Sequence, residues 1–171
     1  LDAVPKIDKK ADTTNTEAYE YYLKGKYKFI KRETSEDIEI SRELLNKSIE
    51  LDNNLIRSKQ LIAWTYFIMN NYNQAFKLFK EILIQAEKLG DKKSLAGALA
   101  NYGAYFWKIK ADFREALEYY TNSLSISDEI GDNYWKAISL GSIGNIFQVI
   151  GNYDESLEYL KSSLEIFKEI D

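Results

Sequence analysis

From Glu17 onward apolar residues recur three and four positions apart, the period of an amphipathic helix, with almost none of the alternation that marks a strand. The period breaks at 33–35, 52–54, 70–72, 90–93, 110–112, 131–133 and 151–152, where Gly, Asn, Asp and Lys collect. Seven breaks predict eight helices, at 17–32, 36–51, 55–69, 73–89, 94–109, 113–130, 134–150 and 153–170. The first fifteen residues, Leu1 to Asn15, carry the single proline, Pro5, and several charges without any helical period, and read as a flexible tether.

The predicted helices fall into pairs that repeat. Asn101-Tyr-Gly-Ala-Tyr-Phe-Trp, Phe113-Arg-Glu-Ala-Leu-Glu-Tyr-Tyr and Asp128-Glu-Ile-Gly-Asp return about 40 residues later as Ser142-Ile-Gly-Asn-Ile-Phe, Tyr153-Asp-Glu-Ser-Leu-Glu-Tyr-Leu and Lys168-Glu-Ile-Asp. Such a period marks stacked supersecondary units, none of which buries its apolar face alone. The first helix of each pair has a small residue near its middle, Gly25, Ala63, Gly103 or Gly144. The second answers with Ser41, Ala75, Ala116 or Ser156 and then a bulky Leu45, Phe79, Tyr120 or Leu160. Small side chains bring the paired helices close and large ones fill the space beyond.

The small residue, the following aromatic at Tyr66, Phe106 or Phe147, and the bulky apolar positions resemble the tetratricopeptide repeat over about 155 residues. The resemblance implies an all-α solenoid of helical hairpins winding as a right-handed superhelix, with repeats at about 17–53, 54–93, 94–133 and 134–171. The extended second helices ending in Leu89-Gly-Asp, Ile130-Gly-Asp and Ile170-Asp are similar to the longer, roughly 40-residue variety. The first repeat departs from the pattern, with four more residues between Gly25 and Ser41 than between Gly144 and Ser156. Its Ala18-Tyr-Glu-Tyr-Tyr-Leu-Lys-Gly-Lys-Tyr is similar to opening repeats of bacterial nucleotide cyclases and transcription regulators. That similarity implies the regulatory region of a larger signalling protein, which carries any catalytic domain itself.

Composition narrows the chemistry. The chain has no Cys and no His, so disulfides and thiolate chemistry are excluded, and the commonest general base and metal ligand are missing. No catalytic residue, cofactor or metal is expected. A formal net charge of −4 supplies no field for phosphates, so neither nucleic acid nor an anionic membrane is an expected partner. No apolar run is long enough to span a bilayer, no secretory leader is visible, and a cytoplasmic setting is expected. The lack of an initial Met reads as a piece excised from a longer protein.

Three groups of residues invite a chemical reading that a structural one outweighs. Gly141, Gly144 and Gly151 have neither the preceding strand nor the Lys-Ser/Thr of a phosphate loop. Glu115 with Glu118, and Glu155 with Glu158, have the three-residue spacing of a solvated helix face. Lys24, Lys26, Lys28, Lys31 and Arg32 interleave with Tyr27 and Phe29 as in single-strand binders, but Glu33, Glu36, Asp37 and Glu39 follow directly and offset them.

Aromatic residues make up an unusual 14% of the chain, and most of them read as structural. Tyr66, Phe79, Phe106, Phe113, Tyr120, Phe147 and Tyr153 stand at packing positions. The resemblance implies a concave groove lined by first helices. Carried over residue by residue, its candidates are Tyr19, Tyr22, Lys26 and Phe29; Arg57, Gln60, Trp64, Phe67 and Ile68; Ala100, Ala104, Trp107 and Lys108; and Ile138, Asn145, Gln148 and Val149. Trp64 and Trp107 with polar neighbours are suited to anchoring a peptide or helix of a protein partner; the alternative is that a neighbouring helix or the rest of a longer protein covers them. The carboxylate clamp known in the family is not carried over, because Tyr22, Lys26, Gly97 and Asn101 stand at its positions. In the last helix Leu157, Leu160, Leu164 and Phe167 form an apolar stripe, which predicts further repeats or end-to-end pairing of two chains.

Overall fold

The computed structural model describes residues 13–170, and among them no strand forms. The helices are α1 Thr16–Ile30, α2 Ser35–Leu51, α3 Ile56–Ile68, α4 Tyr72–Leu89, α5 Lys92–Tyr105, α6 Phe113–Ile130, α7 Asn133–Val149 and α8 Tyr153–Ile170, with a π-helical turn at Phe106–Lys110 directly after α5. All eight expected helices are present and the fold is all-α. Most of the expected tether lies outside the described residues. Thr13 and Asn15, its last part, are tied down: Thr13 hydrogen-bonds Asp52, and Asn15 donates to the Leu51 carbonyl at 3.1 Å while its side chain caps α1.

Two compact units form, one ending at Met69 and the other beginning at Asn70. In the first, α1 and α2 make a hairpin against which α3 packs. Ser41 donates its hydroxyl to the Gly25 carbonyl at 2.9 Å, which draws the two helices together where both side chains are smallest. The four additional residues of this hairpin lengthen α2 and its connection. Six residues of α2 precede Ser41 but only three of α8 precede Ser156, and a Thr34–Asp37 capping box secures the added turn.

In the second unit α4, α5, α6, α7 and α8 pack in chain order, and α5 also reaches α7. Its centre is a cluster of Ala100, Ala104, Ala116, Tyr120, Ile143 and Ile146. Gly103 faces the Tyr120 ring and Gly144 faces Leu160, as the pairing of small and large residues predicts. At the turns from one hairpin to the next, Gly90 and Gly131 take left-handed conformations, φ 65° and 66°. The following Asp91 and Asp132 cap α5 and α7 by accepting from Ser94 N and Trp135 N. The Leu-Gly-Asp and Ile-Gly-Asp endings are therefore a helix stop followed directly by a helix start.

The π-turn comes from one extra residue. Phe106 to Phe113 spans seven positions where Tyr66 to Tyr72 and Phe147 to Tyr153 span six. The surplus is absorbed by N–H bonds from Ala111 and Asp112 back to the Phe106 carbonyl, with Ala111 at φ 51°.

One expectation fails. Tyr153, expected to pack within or between repeats, is 68% exposed. Its equivalent Phe113 packs against the α5–α6–α7 cluster, and no described helix stands beyond α8 to do the same for Tyr153.

Candidate functional site

The candidate groove residues lie on α1 and α3 in the first unit, and on α5, its π-turn and α7 in the second. On α1, Tyr19 and Tyr22 are buried with ring centroids 5.7 Å apart, and Lys26 is exposed. On α3, Arg57, Gln60 and Trp64 are half-buried, and Phe67 is buried with its ring edge-on to Trp64 at 5.1 Å. The accessible part of this set is thus Lys26 and half-buried Phe29 on α1, with Arg57, Gln60, Trp64 and Ile68 on α3, where one indole stands with cationic, amide and apolar groups. Tyr19, Tyr22 and Phe67 stand behind them as packing.

The second unit divides its candidates differently. Ala100 and Ala104, mapped to the groove from the sequence, are 2% and 8% exposed and belong to the central cluster, where they meet α7 rather than a ligand. Trp107 is half-buried and packs on the same cluster, with the Lys108 ammonium 5.4 Å from its ring. On α7, Asn145 is half-buried and Gln148 is exposed beside Val149, which is 59% exposed.

Asn101 is 2% exposed and its Nδ2 has no hydrogen-bond partner among the described residues. A buried amide with unused donors is rare enough to require a reason. The visible signal was an Asn amid the small residues of 96–104, a segment otherwise built for close packing.

The basic segment of α1 does not form a free cationic patch. Lys28 pairs with Asp37 at 3.1 Å, Lys24 reaches Glu20 at 3.9 Å, and the Arg32 guanidinium lies over the Phe29 ring at 4.2 Å. Asp37 is held well below the ordinary carboxylate range by the backbone N–H of Glu33, then by Lys28 and the N–H and hydroxyl of Thr34. Of the acidic residues expected to offset this segment, Asp37 pairs with it, whereas Glu39 pairs with Arg42 of α2 itself.

Between α4, α5 and α6 lies an aromatic cluster that the repeat pattern did not separate from the rest. Phe76 stacks on Tyr105 at 4.3 Å, Phe106 stacks on Tyr119 at 5.3 Å, and Tyr102 lies 5.1 Å from Phe76 and 5.2 Å from Tyr119. Burial, with the neighbouring Tyr119 and Tyr105 hydroxyls, pushes the Tyr102 hydroxyl up to about 12, so it stays protonated. These rings are mutual packing partners. Among the described residues no group of three or more acidic, His or Cys side chains is arranged for a metal, and no helix is long and apolar enough to cross a membrane.

The tetratricopeptide-repeat family model matches residues 94–169. Over 179 aligned residues the chain is 26% identical to response regulator aspartate phosphatase I of Bacillus subtilis (strain 168), covering 98% of this chain and 44% of that protein. The chain therefore spans less than half the length of this relative. The crystal structure of BtubC (BKLC) from P. vanneervenii superposes with a TM-score of 0.66 at 12% identity, over 90% of this chain and 64% of that one, and has the same helical fold.

Proposed function

We propose that this chain, whose residues 94–169 are tetratricopeptide repeats, is a protein-interaction scaffold that seats a peptide or helix against its first helices as the regulatory region of a larger signalling protein. The observation that carries the reading is the repeat itself: close-packed hairpins whose first helices combine accessible indole with amide and cationic groups. On α3 Trp64 supplies apolar area at small side-chain entropy cost, and Arg57 and Gln60 supply hydrogen bonds. In the second unit Lys108, Asn145 and Gln148 offer donors to a ligand backbone or carboxylate. A binding role in place of catalysis agrees with a chain that has no His and no Cys.

The relative covering 98% of the chain bears on the partner class, since its name places it on response regulators. A response regulator is accordingly the first partner to test. A photo-crosslinking residue introduced at Gln60 or Asn145, with Asn122 on α6 as control, is mixed with a panel of purified response regulators. One regulator captured from position 60 or from position 145 but not from 122, with capture at 60 reduced at least tenfold by Trp64→Ala in a folded chain, supports the reading. Equal capture from all three positions removes the groove. Capture of a different protein class at 60 and 145 keeps the scaffold and rejects the response regulator.

A further inference from the structure

Met69 is the single methionine of the chain, caps the C-terminal end of α3 and is 39% exposed. Its sulfur accepts from the Arg42 guanidinium of α2 at 3.4 Å. That guanidinium also lies over the Tyr66 ring at 4.6 Å and pairs with Glu39, and the Arg42 side chain is only 14% exposed. Arg42 thus ties α2 to the end of α3 through a ring face and a thioether, two weak partners for a cation with five donors. Its Nε–H is buried and meets no acceptor among the described residues. A charged group shielded from water with a donor unused is costly, and one more oxygen beside it would relieve that cost.

We propose that Met69 is a redox modification site, at which the sulfoxide supplies Arg42 with an oxygen acceptor and fastens the end of α3 to α2. The oxidant is a peroxide. The thioether sulfur attacks one peroxide oxygen, so that an S–O bond forms as the O–O bond breaks. The departing hydroxide takes the proton left on the transferred oxygen and leaves as water. Sulfur gives up two electrons and the peroxide receives them. With no Cys in the chain, no thiol competes for the oxidant.

The new oxygen is bonded to the atom that already stands at hydrogen-bond distance from the guanidinium. A weak sulfur acceptor becomes a strongly polar oxygen acceptor, and bonds from a charged donor to oxygen are among the stronger ones. Oxidising a methionine usually loosens packing, because it sets a polar group among apolar neighbours. At 39% exposure and beside a cation, the Met69 sulfoxide escapes most of that penalty. Helix α3 also carries Arg57, Gln60 and Trp64, so the oxidation state of Met69 sets how firmly the helix bearing these side chains is held.

The test treats the whole chain with hydrogen peroxide. Intact mass is expected to rise by one oxygen atom, mapped to the peptide that holds Met69 and missing in Met69→Leu, and methionine sulfoxide reductase is expected to reverse the gain. Hydrogen exchange of residues 60–69, followed by mass spectrometry, is expected to slow by about threefold or more on oxidation and to recover on reduction. In Arg42→Leu the same oxidation is expected to speed exchange. Arg42→Lys keeps the cation but lacks the planar fork, and carries the same comparison if Arg42→Leu does not fold; most of the slowing is expected to be lost in it. Unchanged or faster exchange in the oxidised parent chain overturns the proposal, as does slowing of equal size in the parent and the Arg42 variants. Failure of Met69 to take up oxygen under peroxide that fully oxidises N-acetylmethionine in the same tube overturns it too.

Discussion

Leu45 presses its Cγ to 2.7 Å from the point that a β-carbon on Gly25 would occupy. Leu45 is fully buried, so it has no room to withdraw. Gly25→Ala adds helix propensity worth about 1 kcal/mol but overpacks the hairpin by about 1–3 kcal/mol. A net loss of about 1 kcal/mol is expected, read as a lower urea midpoint. An unchanged or raised midpoint would mean that the α1–α2 spacing is not set by this contact.

Backbone conformation gives the opposite sign at Ala111, which stands at φ 51° where the next hairpin has Gly151 at φ 86°. An alanine held left-handed costs about 1–2 kcal/mol, part of which glycine returns as unfolded-state entropy. Ala111→Gly is therefore expected to stabilise by about 0.5–1 kcal/mol. Gly131→Ala, at φ 66° with nothing within 4 Å of an added β-carbon, is expected to destabilise by about 1 kcal/mol through the backbone alone. Thermal melts of the two variants should move in opposite directions.

Ser123 and Ser139 share a buried hydrogen bond, while the preceding repeat places fully buried Ile82 and Ala98 at the same positions. The seam therefore accepts a polar pair or a large–small pair. Ser123→Ile alone overpacks by about 1–3 kcal/mol and strands the Ser139 donor. Adding Ser139→Ala is expected to recover part of the loss, with a coupling energy of about 0.5–3 kcal/mol in a double-mutant cycle. Strict additivity would show that the two side chains do not meet.

Asp132 links capping to pH. Burial works to raise its carboxyl, but the Lys93 ammonium at 2.7 Å and the Trp135 and Tyr134 N–H groups outweigh it and hold the group below its ordinary value of 3.8. A lowered folded value stabilises above the unfolded value and is lost as pH falls through the folded one. Asp132→Ala is expected to cost about 0.5–2 kcal/mol at pH 7, and Asp132→Asn less, since it keeps a capping acceptor. The gap between wild type and Asp132→Asn should close below about pH 4, as followed by urea denaturation across pH.

The helices, the α1–α2, α5–α6 and α7–α8 pairings and the caps were legible because the patterns behind them are local. Gly90-Asp91 and Gly131-Asp132 announce a stop and a start whatever surrounds them. The π-turn was legible as well, in the seven-residue spacing of Phe106 and Phe113, but only once the hairpins were aligned. The candidate site was less so. Its positions were mapped by likeness between repeats, and Ala104, Tyr19 and Phe67 stand at positions of that kind while lying buried.

What the amino-acid sequence determined alone is an all-α chain of hairpins with defined joints, since periodicity, capping and left-handed turns are local physics. Only the tertiary structure decided which aromatics are spent on one another, that Trp107 turns toward the core, and that Asn101 is buried without a partner for its amide. Those outcomes depend on what another helix places opposite a side chain, and residues distant in the chain supply that.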